Sequence, residues 1–450
     1  MIKTTISDEP RNGINEEDQF GLSAYEKGLE AFLRGAETPV TIALQGEWGS
    51  GRTSLMNVLH DNLCGEDDKY GEYFSVWINT WEYTLMRDSS DALKQILLRM
   101  SKEIVSYGKS ALREIDSKIM KSIMGLGVVL TKTLGNSYLN GAVDEVQEYI
   151  RSSQDNAIAD LRNYIQAGID ECLRKNEEKK GFVFFIDDMD RIDPTVAVEL
   201  LVLLKNIFTL KNCILVLAID YDVVVKGLKP KLGELNDTNE REFRSFYDKI
   251  IQVPFSMPVS QYSTKDFLIK ELKRIGIISS LDEKNEHLMN NIVKVENLTT
   301  GPNPRSIKKL LNTLSLIQCI KNARESVKKN HVPDADEQDK ALNTLLTIAI
   351  VGIQVAYPKV YQLLCDEFDE DWEKTLHQVC QSDRYLKKNA SNISQLFNLL
   401  RSEILSSSPL VKDNADTDED MQDARDIAVR KCIQDQLSQS FITGLNASDM

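Results

Sequence analysis

Gly46, Gly49, Gly51, Arg52, Thr53 and Ser54 fall together in "QGEWGSGRTSLM", residues 45–56. The stretch fits the phosphate-loop pattern G-x-x-x-x-G-K-[ST] except that Arg52 stands where lysine is expected. Glycines at these positions let a backbone curl until several N–H groups face one anion, with Glu47, Trp48 and Ser50 completing the loop. The positive N-terminus of the helix that follows points at the same place. Thr53 occupies the position of the hydroxyl that ligates Mg²⁺ beside a bound nucleotide. Arginine keeps the lysine's charge but is longer, planar and forked. The exchange therefore threatens phosphoryl transfer more than binding.

A second stretch, "FVFFIDDMDR" (182–191), supplies the acids that such a loop needs. Asp187 ends an apolar run and is the candidate metal-side carboxylate, while Asp188 is placed to orient or activate an attacking water. An acidic turn capping a helix accounts for Asp193. It does not account for two adjacent carboxylates after five apolar residues.

The elements that position these residues follow from periodicity. "VTIALQ" (40–45) reads as a short buried strand, and Leu55, Val58, Leu59 and Leu63 recur at helical spacing, so the glycine-rich stretch lies between strand and helix. "FSVWINTW" (74–81), "FVFFID" (182–187) and "CILVLAID" (213–220) read as further strands. Residues about 90–175 are helical in pattern, with Ile158, Leu161, Ile165, Ile169 and Cys172 on one stripe. Asp193 and Pro194 open a helix that runs to about Phe208. Trp77 and Trp81 read as core residues, and Trp48 as a shield for the loop. The alternation predicts an α/β fold with a mainly parallel sheet. The expected organisation is a nucleotide-binding core over 1–258 with a helical insertion at about 90–178, a helical lid over 259–325 and a helical C-terminal region over 326–450. An acidic loop at about 412–426 carries seven acidic residues against Lys412 and Arg425.

Composition limits the function classes. The net charge of −15 disfavours a nucleic-acid partner, which would need a local basic face. The seven cysteines show no C-x-x-C pair and no zinc spacing, and read as reduced thiols. The lone histidines form neither a triad nor a metal site. The segment "MIKTTISDEPRNG" lacks the apolar core of a signal peptide. Two apolar stretches, 123–135 and 345–358, are interrupted well short of the ~18–20 residues of a spanning helix and read as buried helices. The expectation is a cytoplasmic protein with no membrane contact.

In order along the chain, "GEWGSGRTSL", "WINTWEY", "FFIDDMDR", "VLAIDYDVV", "YDKIIQVPFSMP" and "GPNPRSIKKLLN" resemble the KAP family of P-loop NTPases. The resemblance implies an ATPase core using ATP and Mg²⁺, with Gly46, Gly51, Arg52 and Thr53 in the phosphate loop and Asp187 and Asp188 as metal and water-positioning acids. Asp190 and Arg191 complete the family's acidic-Arg signature. Many members carry transmembrane helices in the insertion; this chain does not, and it resembles a soluble bacterial-type member. The family's phage-exclusion and antiphage-defence members extend that resemblance to a defence role by analogy.

Three further readings accompany it. Asp220 either senses the γ-phosphate or caps a helix. Arg305, after the cap residues Asn303 and Pro304, either reaches back to a phosphate or joins Lys308 and Lys309 in a solvated basic face. Arg241, Arg244 and Lys249 are further candidates, in cis or across a subunit interface. The functional expectation is an ATPase, slow because of Arg52, whose nucleotide state moves the lid and controls a protein partner or a homo-oligomeric assembly. The alternatives are a non-hydrolysing nucleotide-bound scaffold and, more remotely, a nucleic-acid remodeller.

Overall fold

The computed structural model describes residues 4–65, 71–84, 89–108, 115–123, 157–327, 337–366, 372–407 and 418–440. The chain divides into two units, one of residues 10–258 and the other of residues 1–9 with 259–450.

The first unit is built on five parallel strands: β1 Val40–Gln45, β2 Tyr73–Asn79, β3 Gly181–Asp187, β4 Cys213–Ala218 and β5 Val253–Ser256. Their order across the sheet is β2-β3-β4-β1-β5, with every neighbouring pair parallel. Strands β3 and β4 are buried along their whole length, which is why they read as unbroken apolar runs. Register places Phe184 beside Val76 on one side and Leu215 on the other, and Ile42 beside Val216.

Two strands differ from the sequence expectation. The stretch 74–81 leaves the sheet at Asn79, whose side chain accepts from the Trp81 N–H and turns the chain into a single 3₁₀ turn over Thr80–Tyr83. Strand β5 has no clear sequence signal, because it is four residues long and contains Pro254. It pairs with β1 alone, and an edge strand is where a sheet tolerates proline.

Helices α1 Ser23–Gly35, α2 Arg52–Cys64, α3 Ser89–Gly108, α4 Ala157–Lys175, α5 Pro194–Ile207, α6 Tyr221–Leu232 and α7 Glu240–Ile250 belong to the same unit. The described parts of the predicted insertion are α3, a helical stretch at 115–123 and α4. Leu161, Ile165, Ile169 and Cys172 of α4 are buried in one core with Leu93, Ile96, Leu97, Met100 and Ile104 of α3. Residues 124–156, which include nearly all of the apolar stretch 123–135, lie outside the described residues. Asp193 caps α5 as expected, accepting from Thr195 N at 2.8 Å.

The regular elements of the second unit are all helices among its described residues. Among the described residues, one helix, over Asp339–Ala356, is long and apolar enough to cross a membrane. Its Leu345, Leu346, Ile348, Ala349, Ile350, Val351 and Ile353 are buried in the protein, which is the buried-helix arrangement. Residues 4–9 join this unit rather than the core over 1–258. Ile6 donates to and accepts from the Asn312 amide, at 2.7 and 2.9 Å. A polar segment held through its backbone carries no apolar pattern to reveal it. The predicted acidic loop is also partly helical: residues 418–426 begin the helix Asp418–Ser440. The rest of that stretch, up to 417, lies outside the described residues.

Candidate functional site

The C-terminal ends of β1 and β3 carry the two halves of the candidate site. After Gln45 the chain turns through Gly46–Gly51, where Ser50 N bonds Glu47 O at 3.0 Å, and enters α2 at Arg52. Gly51 caps that helix with φ 98°, a left-handed conformation that β-carbon-bearing residues adopt only with strain. A side chain at Gly46 would lie 2.7 Å from Ser50 Oγ and 3.1 Å from Met257. Glu47 and Trp48 are exposed, Gly49 is half-buried at φ 86°, and Ser50 is buried. Ser54 Oγ accepts from Arg11 N at 3.0 Å, which ties the start of α2 to the segment before α1.

Asp187 is 4% exposed at the end of β3. Its carboxylate is hydrogen-bonded to the Thr53 side chain and accepts from Asp188 N at 2.8 Å. Burial, and then the neighbouring charge of Asp188, push its carboxyl above the usual range. The pair expected to hold Mg²⁺, Thr53 and Asp187, is thus already joined. One hydroxyl and one carboxylate make a set suited to Mg²⁺, which keeps most of its coordination for water and phosphate oxygens.

Asp188 has φ 57°, one of two non-glycine residues in the left-handed region among the described residues. Aspartate tolerates this conformation better than most residues, at a cost of order 1–3 kcal/mol, and such strain concentrates at functional sites. The turn is closed by Arg191 N bonding Asp188 O at 3.0 Å. The carboxyl of Asp188 is also raised, chiefly by burial, while Arg191 opposes the shift.

Arg52 is buried, at 6% exposed, and its Nη2 lies 2.5 Å from Asp190 Oδ2. Its Nη1 and the other oxygen of Asp190 are buried with no hydrogen-bond partner. Arg191 contacts three residues from three motifs. Its Nε is 2.7 Å from Asp188 Oδ1, and its guanidinium carbon is 4.0 Å from the ring centroid of Trp81 and 5.2 Å from that of Trp48.

These contacts revise the tryptophan assignments. Trp81 is 54% exposed and not a core residue; as a cation–π partner it needs one face toward Arg191. Trp48, at 60% exposed, lies beside the same cation. Trp77 stacks on Phe185 at 5.0 Å. The segment "WINTWEY" contributes more than a strand. Asn79 is in register with Asp187, and buried Thr80 donates to the Asp187 carbonyl at 3.0 Å. Sequence reasoning missed Thr80 and the Trp81 contact; the polar Asn79-Thr80 pair ending an apolar run was the available signal.

The remaining candidates are placed as follows. Asp220 caps α6, accepting from Asp222 N at 3.0 Å, which is the capping reading. Arg305 belongs to the second unit, where Asn303 caps its helix and its Nε pairs with Asp8 at 2.7 Å. Arg241, Arg244 and Lys249 lie on α7 and line a shallow open depression of 710 Å³ with Asp237, Glu240, Ser245 and Asp248. Arg244 is paired there with Glu240 at 2.7 Å. This depression is lined by none of the phosphate-loop or β3 acid residues. The geometry thus brings together Gly46 to Ser54, Asp187, Asp188, Asp190 and Arg191.

The residues fit a nucleotide phosphate chain with its metal. A buried guanidinium nitrogen lacks a partner, the loop has no room for a side chain at Gly46, and a helix N-terminus follows. In the comparison with protein families, residues 24–320 match the KAP family P-loop domain. No curated protein matches the chain.

Proposed function

The chain belongs to the KAP family of P-loop NTPases, and from that premise we propose that it binds ATP with Mg²⁺ and hydrolyses it slowly, using its nucleotide state to control a protein partner. The observation that carries this reading is the hydrogen bond between Thr53 and Asp187, with the neighbouring Asp188 ion-paired to Arg191. It joins the phosphate loop to an acid pair of which one member is held for a metal and the other is available to a water.

When bound, Mg²⁺ supplies charge neutralisation at the phosphates. Thr53 and Asp187 would hold it. The loop's backbone N–H groups other than that of Ser50, together with the N-terminus of α2, bind and orient the phosphates. Asp188 accepts a proton from the attacking water or orients it, and Arg191 keeps the carboxyl in place. Arg52 contributes charge without following the transferring group as a flexible lysine does. A misplaced charge costing ~3 kcal/mol in the transition state slows turnover by a hundredfold or more.

The helical second unit, within which Arg305 starts a helix, is the element whose position the nucleotide state would alter. By family analogy the controlled process is a response to phage. The commitment of Arg52 to Asp190 also supports a second reading, a nucleotide-bound scaffold that does not turn over.

Binding and turnover of MgATP by the natural chain beside Asp188→Asn decide between them. Turnover that Asp188→Asn abolishes without loss of binding supports the ATPase. Tight binding with no turnover in either form establishes the scaffold, and absence of binding rejects both.

A further inference from the structure

Asp190 is the residue that explains arginine at position 52. The two lie 138 residues apart in sequence and meet in a buried contact of 2.5 Å that uses one nitrogen of the guanidinium and one oxygen of the carboxylate. The second nitrogen, Nη1, is buried and has no hydrogen-bond partner. A buried donor with no acceptor is costly, so a partner for Nη1 from outside the chain is favoured. Arg52 is also the first residue of α2, at the end of the glycine loop, where the backbone N–H groups gather for an anion.

We propose that Asp190 is a positioning residue for Arg52: it holds Nη2 and fixes the plane of the guanidinium, which presents Nη1 to a phosphate oxygen in the loop. The inference deepens the nucleotide reading above and rests on it. A guanidinium can serve both acceptors because its donors form a rigid fork. A lysine ammonium is one compact charge on a shorter reach. Beside Asp190 it would be drawn to the carboxylate and away from the phosphate. Arg52 and Asp190 are therefore a matched pair, and the departure from the lysine pattern is tied to the acid that follows β3.

The test uses the full chain, freed of nucleotide and titrated with MgATP by calorimetry, as natural protein, Arg52→Lys, Asp190→Asn and the double variant. Each single change is expected to weaken binding about tenfold. The double variant is expected to bind about as well as Arg52→Lys alone or better, a coupling of about tenfold. Melting temperatures without nucleotide report folding separately. If Asp190→Asn fails to fold, Asp190→Glu replaces it: the charge is kept, the guanidinium is displaced, and affinity falls while the melting temperature holds. Single effects that simply multiply in the double variant, or an Asp190→Glu chain that binds as the natural one does, overturn the pairing alone. A natural chain that does not bind MgATP overturns the nucleotide reading and the pairing with it.

Discussion

The guanidinium of Arg191 sits 4.0 Å from the ring centroid of Trp81, so a cation belonging to the β3 acid turn is held by a residue from the end of β2. The same side chain is ion-paired to Asp188 at 2.7 Å. The setting of the Asp188 carboxylate thus depends on an aromatic surface outside its own strand.

Arg191→Gln is expected to lower kcat for ATP by about tenfold to a hundredfold while leaving KM within a few-fold. Arg191 holds the Asp188 carboxyl down against burial, so its removal moves the acid limb of the pH–rate profile to higher pH. Trp81→Ala follows in the same direction with a smaller effect. Steady-state kinetics across pH measures all three, and an unmoved acid limb in Arg191→Gln contradicts the assignment.

Thr53→Ala removes the hydroxyl bonded to Asp187. Nucleotide affinity measured in excess EDTA should be nearly unchanged, whereas the gain on adding Mg²⁺ should shrink by about tenfold. Equal Mg²⁺ dependence in the two proteins would place the metal elsewhere.

Gly51→Ala forces a β-carbon into φ 98°. The strain is about 1–2 kcal/mol, which corresponds to a fall in melting temperature of roughly 2–8 °C. The more specific consequence is loss of the stabilisation that MgATP gives the natural chain. Differential scanning fluorimetry with and without MgATP checks both effects.

Glu296, in the helix Glu286–Leu298, is fully buried with both carboxyl oxygens unpartnered, and burial pushes its carboxyl up to about 8. The folded state holds this proton more tightly than the unfolded chain does. Its contribution is therefore complete below the ordinary carboxylate range and is lost as pH rises from there to about 8. Glu296→Gln should match the natural protein near pH 4 and exceed it near pH 9 by on the order of a few kcal/mol. Denaturant unfolding at the two pH values reads the difference, and parallel stability curves would show that Glu296 is not the group responsible.

Strands β1, β3 and β4 were legible because burial on both faces requires unbroken apolar runs, and the start of α5 because Asp193 and Pro194 fit cap and first-turn geometry. The placing of Thr53 in the first turn of α2 and of Asp187 at the end of β3 was legible from the strand and helix patterns that flank them. The Arg52–Asp190 contact was not, since nothing in local patterning relates residues 138 apart. Trp81 was misread for a different reason: a large ring usually lies in a core, and the contact that holds it half-exposed comes from Arg191, in the turn after β3. The short β5 and the seating of Ile6 on Asn312 depend on backbone hydrogen bonds, which carry no side-chain signature.

The sheet order β2-β3-β4-β1-β5 has a consequence for biosynthesis. β1 neighbours only β4 and β5, so the strand that carries the phosphate loop has no partner until Cys213–Ala218 has been made. At about 5–20 residues per second, a ribosome that has finished β1 needs roughly 10–35 s more to supply one. Nucleotide capture is consequently a late event on the nascent chain. Products that stop short of β4 can contain the whole "GEWGSGRTSL" stretch and have no strand to pair with β1.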